Sequence, residues 1–177
     1  MASRRVKAAP RRRTAPIVAF SGPSGAGKTT LLVALLRELR RRGIRVAAIK
    51  HSGHPHGFDV PGKDSDLLLR AGAASVAVHR PRQLAVFGPP RPGGARALAR
   101  LLPPVDLVLV EGWKDERLPR IEVHRRAVGR AFACARSRGF IAVVTDEPPP
   151  RPLPTFAPAD VKGLADFLGD RFGLPST

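Results

Sequence analysis

Eight consecutive residues, Gly22-Pro23-Ser24-Gly25-Ala26-Gly27-Lys28-Thr29, carry the spacing G-x-x-x-x-G-K-[ST]. That spacing suits phosphate. Glycines let the backbone curl until its N–H groups point inward at phosphate oxygens, and a helix starting at the loop's end adds a partial positive charge. Lys28 is placed to reach β- and γ-phosphates, and the Thr29 hydroxyl to ligate Mg²⁺. Gly22, Ser24, Gly25, Ala26 and Gly27 supply the curl and its N–H groups. The alternative is a Gly-rich turn between a strand and a helix. The flanks argue for phosphate: an apolar run, Pro16 to Phe20, precedes the loop, and a helical run, Thr29 to Arg42, follows it.

A phosphate loop needs an acid for its metal. In open α/β sheets ligands gather at the carboxyl ends of strands. The run Val105-Asp106-Leu107-Val108-Leu109-Val110-Glu111-Gly112 offers two acids. At about 3.3 Å per residue they lie roughly 17 Å apart, so only one can meet the metal. Strand polarity selects Glu111, to hold a metal-bound water or to orient an attacking one. Asp106 reads as a strand-start cap. Gly112 lets the backbone approach a γ-phosphate.

Two further groups can do chemistry. The segment Lys50 to Ser65 leaves the carboxyl end of a second strand and holds His51, His54, His56, Asp59, Lys63 and Asp64. It reads as a segment sensing γ-phosphate and a substrate, as a transition-metal site, or as a solvated polar loop. Asp146 ends the run Ile141-Ala142-Val143-Val144-Thr145. A carboxylate there can accept the N1–H and exocyclic amine of guanine. GTPases place such an Asp within N-K-x-D; only Thr-Asp remains here. A turn cap is the alternative.

These residues need strands and helices to hold them. Strands are expected at Ile17–Phe20, Ile44–Ile49, Asp106–Glu111, Arg120–His124 and Phe140–Thr145. Leu31, Leu32, Leu35, Leu36 and Leu39 give the helix Thr29–Arg42 one buried face, with Gly43 at its end. Asp64 is expected to cap a short helix through Leu69, stopped by Gly72. Ala74–His79 and Leu84–Phe87 read as a hairpin. Ala95–Leu102 and Asp160–Phe172 complete the helices, and Glu147–Pro158 reads as irregular. Alternating strands and helices predict an α/β fold: a three-layer sandwich of the phosphate-loop NTPase type, with a mostly parallel sheet and a β-hairpin extension.

Composition sets the limits. The chain has 177 residues, a net charge of +17 and a single cysteine, Cys134. One cysteine excludes an internal disulfide framework. No apolar run approaches the ~20 residues that cross a membrane, so a cytoplasmic protein is expected. Six of the positive charges fall in the first 13 residues, with no acid beside them. Residues 1–15 read as a basic, disordered leader, and 16–177 as one nucleotide-binding domain. The leader lacks aromatic residues for base stacking, which argues against nucleic acid.

The segments IKHSGHPHGFDVPGKDS (49–65), AGA (71–73), LVLVEGWK (107–114) and AVVTD (142–146) resemble the MobB family, the molybdopterin-guanine dinucleotide biosynthesis adapters. The resemblance runs from about Pro16 to Phe172. It implies a GTP-binding, homodimeric α/β protein with weak Mg²⁺-dependent hydrolysis. Its partner would be a MobA-like molybdopterin guanylyltransferase, with molybdopterin itself as a further candidate. Carried over by position, Gly25 to Thr30 bind phosphates, Thr29 ligates Mg²⁺ and Glu111 serves the metal–water network. The hairpin at 74–87 would match a protruding dimer element. Two other classes remain. One is a small-metabolite or nucleoside kinase sharing the phosphate loop; the other is a metal-delivery GTPase using His51, His54 and His56.

Overall fold

A computed structural model describes residues 14–52, 59–89, 93–113 and 116–175. Most of the basic leader, and His54 and His56 of the polar loop, lie outside the described residues. Among the described residues eight strands and four α-helices follow in order: β1 (Ile17–Ser21), α1 (Lys28–Arg41), β2 (Val46–Lys50), α2 (Asp64–Arg70), β3 (Val76–Arg80) and β4 (Gln83–Phe87). Then come α3 (Gly94–Ala99), β5 (Leu107–Glu111), β6 (Arg120–Val123), β7 (Phe140–Val144), β8 (Thr155–Phe156) and α4 (Val161–Phe172).

The main sheet has the order β2-β5-β1-β6-β7-β8, and every pairing in it is parallel. Parallel strands need both faces covered, so their sequences run apolar without interruption. All of β1 is buried, as are Leu107 to Val110 of β5. Alternation then divides them between two layers. Val18, Phe20, Leu107 and Leu109 face Leu31, Leu35 and Leu39 of α1 and Leu164 and Leu168 of α4. Ile17, Ala19, Val108 and Val110 face Ala95 and Leu98 of α3. The expected three-layer sandwich is therefore present. β3 and β4 form their own antiparallel hairpin outside it.

Three details depart from the sequence reading. Asp64 is the first residue of α2, not its cap; Lys63 precedes the helix and no side chain caps it. Asp64 and Asp66 instead put negative charge in the first turn, where the helix dipole favours it. The stretch read as irregular contributes β8, two residues paired to the edge of β7. A strand that short has no period to detect. Finally, β2 begins at Val46. Ile44 is still tied to the end of α1, its N–H donating to the Leu39 carbonyl at 3.0 Å.

Candidate functional site

The phosphate loop joins β1 to α1 through geometry that only glycine permits at its first position. Gly22 has φ of 154°, and a Cβ there would lie 2.1 Å from the Val123 carbonyl of β6. The loop therefore begins pressed against the neighbouring strand. Gly27, with φ of 85°, stands at the N-cap of α1, and no side chain caps that helix end. The first N–H groups of α1 are left for a ligand. Ser24 and Gly25 are exposed at the loop, Ala26 is buried beneath it, and Thr30 is exposed in the first turn.

Lys28 Nζ donates to the Gly22 and Pro23 carbonyls at 3.0 and 2.8 Å. Across the site, Thr29 Oγ1 lies 2.9 and 3.1 Å from the two carboxylate oxygens of Glu111. These residues are 82 apart in sequence. Their meeting follows from the pairing of β5 beside β1, which sets Glu111 opposite Phe20. A hydroxyl and a carboxylate are hard oxygen ligands of the kind Mg²⁺ takes alongside waters and phosphates, so the residues present fit that ion. Ser21 Oγ, buried at the end of β1, has no hydrogen-bond partner among the described residues.

The two acids lie at opposite ends of β5. Asp106 sits at the far edge of the sheet, where Arg45 donates to it from its backbone N–H and from Nε and Nη2 at 2.7–3.0 Å. Those bonds hold the Asp106 carboxyl below the ordinary carboxylate range. It is a strand-start anchor.

The polar loop is divided by the structure. His51 stays with the phosphate site: its N–H donates to the Glu111 carbonyl at 2.9 Å, and its ring stacks on Trp113 at 4.6 Å. Trp113 has φ of 58°, a left-handed conformation that costs a bulky residue about 1–3 kcal/mol. Gly112 before it approaches His51 so closely that a Cβ would lie 2.9 Å from the His51 carbonyl. Asp59, Lys63 and Asp64 instead line a cleft of about 560 Å³ against the hairpin, with Val78 and Phe87. Asp59 Oδ1 accepts from Val60 N–H and Ser65 Oγ, both at 2.9 Å. Among the described residues no three His, Cys, Asp or Glu side chains gather as a metal site.

Asp146 is exposed at the carboxyl end of β7. Its Oδ1 accepts the Arg126 N–H at 2.9 Å, and this bond first of all holds its carboxyl below the ordinary range. That bond ties the end of β7 to the short turn that follows β6.

Sequence reasoning missed the polar face of β6. Glu122 and His124 alternate with Ile121 and Val123, and both are almost fully buried. Glu122 accepts the Ala133 and Cys134 N–H groups at 2.6 and 2.8 Å. His124 stacks on Phe132 at 3.7 Å, and its Nε2 lies 2.6 Å from Glu147 Oε1. The available signal was a strand carrying two polar residues two apart, hence on one face.

The family described as Molybdopterin guanine dinucleotide synthesis protein B matches residues 17–146. The Molybdopterin-guanine dinucleotide biosynthesis adapter protein of Escherichia coli is 38% identical over 159 residues, 86% of this chain and 91% of that protein. Its namesake from Haemophilus influenzae is 42% identical over 114 residues, 63% of this chain and 64% of that protein. The crystal structure of a MobB homologue from Bacillus stearothermophilus superposes with a TM-score of 0.62 at 27% identity, covering 89% of this chain and 97% of that one. A chain with this loop, this sheet order and these relatives belongs to the MobB family.

Proposed function

We propose that this protein is a GTP-binding adapter in the cytoplasm. It assists a MobA-like guanylyltransferase that joins GMP to molybdopterin in molybdenum cofactor biosynthesis. The observation that carries the nucleotide half of this reading is the meeting of Thr29 with Glu111 at the mouth of the phosphate loop. Thr29 and Glu111 would hold Mg²⁺, which when bound neutralises phosphate charge. Lys28 exchanges its two loop carbonyls for β- and γ-phosphate oxygens. The loop N–H groups and the Thr29 and Thr30 N–H groups cradle the rest. Asp146 reads guanine, accepting its N1–H and exocyclic amine. Glu111 also orients the water for slow hydrolysis. His51, tied to the Glu111 backbone, relays occupancy of the site to the loop that continues to Asp59, Lys63 and Asp64, where the pterin-side partner is met. A second copy of the chain covers the hairpin. The adapter half rests on the relatives' names and the family match.

Calorimetry with GTP and ATP, with and without Mg²⁺, tests the first half. GTP should bind more tightly than ATP and lose affinity without the metal. Equal affinities would remove the guanine reading. Co-purification with a MobA-like guanylyltransferase, with GTP present or absent, tests the second. A complex indifferent to Lys28→Ala would separate the adapter surface from the nucleotide site.

A further inference from the structure

Two arginines follow β6, and they are used differently. Arg126 is engaged: its N–H donates to Asp146 and its Nε to Glu147 Oε2 at 3.0 Å. Arg125 has extended backbone, with φ of −139° and ψ of 128°. Its side chain runs toward the phosphate loop. Its Nη2 and Nε stand 3.7 and 3.9 Å from where a Cβ on Gly27 would lie. Among the described residues, no hydrogen bond or ion pair is made to that guanidinium.

A GTP molecule held by this protein must run from the phosphate loop to Asp146. The Arg125 guanidinium borders the space beside Gly27, and its charge helps, behind the Arg126 N–H bond, to hold the Asp146 carboxyl below its ordinary range. On the GTP reading, a phosphate on the Asp146 side of Gly27 would be the one nearest the nucleoside. β7 itself, Phe140–Val144, carries no cation. Where N-K-x-D would put Asn and Lys, this chain has Val143 and Val144, both buried. A guanidinium presents forked donors that match two phosphate oxygens.

We infer that Arg125 is a nucleotide-binding residue whose guanidinium takes the α-phosphate, supplying from β6 the cation that β7 lacks. This rests on the GTP reading above, and the test keeps the two apart. Parent, Arg125→Ala, Arg125→Gln and Lys28→Ala are titrated with GTP and with GDP in Mg²⁺ by calorimetry. Both nucleotides carry an α-phosphate, so Arg125→Ala should weaken both by about tenfold or more and by a similar factor. Lys28→Ala should weaken GTP more than GDP, because only GTP has the γ-phosphate. Arg125→Gln keeps the packing stem without the charge; it decides the matter if the alanine variant melts below the parent. Parental affinity in Arg125→Gln overturns the inference. A loss confined to GTP also overturns it, moving the contact to the γ-phosphate. A parent that binds neither nucleotide removes the GTP reading, and this inference with it.

Discussion

The sheet that carries the phosphate loop and the hairpin beside it are built on opposite terms. β1 is buried from end to end, and each of its faces meets a helix layer. The unit of α2, β3 and β4 has no fully buried residue. In the hairpin, Val76, Val78, Ala85 and Phe87 share one face and are half-buried; Ala77, His79, Leu84 and Val86 share the other and are exposed. Leu84 and Val86 are 69% and 64% exposed, and Leu67 and Leu68 of α2 are 55% and 54%. A lone two-stranded hairpin is marginal in water, and a rim of exposed leucine and valine marks an interaction surface. The contrast separates two kinds of function. The sheet completes its site within one chain. The hairpin unit leaves Leu84, Val86, Leu67 and Leu68 open to solvent in the single chain.

The sharpest way to break this comparison is by truncation on each side. Leu35→Ala, in the core under α1, should cost about 2–5 kcal/mol in urea unfolding. Leu84→Ala should change the unfolding of the dilute chain by less than about 0.5 kcal/mol. It should nonetheless weaken self-association in sedimentation. Equal destabilisation by both would put the hairpin inside the core.

Lys28→Ala comes next. It removes a side-chain cation while leaving the sheet intact, and charge-assisted bonds are worth about 1.5–3 kcal/mol. GTP affinity by calorimetry should fall at least tenfold, while sedimentation of the variant should match that of the parent. Loss of both together would tie the two regions into one unit.

Asp146→Asn tests the far end of the site. An amide turns a donor toward a guanine donor, and an unpaired buried polar group costs about 1–3 kcal/mol. GTP should weaken roughly tenfold, and xanthosine triphosphate, with a carbonyl where guanine has its amine, should gain. Unchanged GTP affinity with no such gain would leave Asp146 as the turn cap for Arg126 alone.

Glu111→Gln is nearly isosteric. Nucleotide affinity should move by no more than a few-fold while single-turnover GTP hydrolysis falls. If hydrolysis persists in it and vanishes in Asp106→Asn, the assignment of the two acids is reversed.

The smallest effect lies in acid. Hydrogen bonds from Arg41 and then Arg42 hold the Glu38 carboxyl down at about 2. Its contribution to stability is therefore whole above the unfolded value near 4.5 and is lost as pH falls through about 2. The stability gap between parent and Glu38→Gln should narrow from pH 5 to pH 2. A constant gap would mean that Arg41 and Arg42 do not sense the charge of Glu38.

Much of the fold was legible because its causes are local. Consecutive apolar residues make β1 and β5 read as buried strands. Leucines three and four apart mark the inner face of α1, and the alternation at 74–87 marks the hairpin. Glu111 could be chosen over Asp106 because strand direction is a property of the chain itself. The mistakes were local too. Asp64 has the residue type of a cap, but the helix starts one residue earlier than a cap would allow. β8 is too short to show a pattern. Glu122 and His124 looked like ordinary strand residues because nothing nearby in sequence shows what they meet.

The sequence by itself determined the phosphate loop, since eight adjacent residues carry both the glycine freedom and the cation it requires. It also determined which strand ends carry acids. Only the tertiary structure decided that Thr29 meets Glu111, that Gly22 lies under Val123, and that Arg125 turns to Gly27 while Arg126 turns to Asp146. Each of those contacts depends on which strand lies beside β1. That order is set by how whole faces pack, not by any residue's neighbours along the chain.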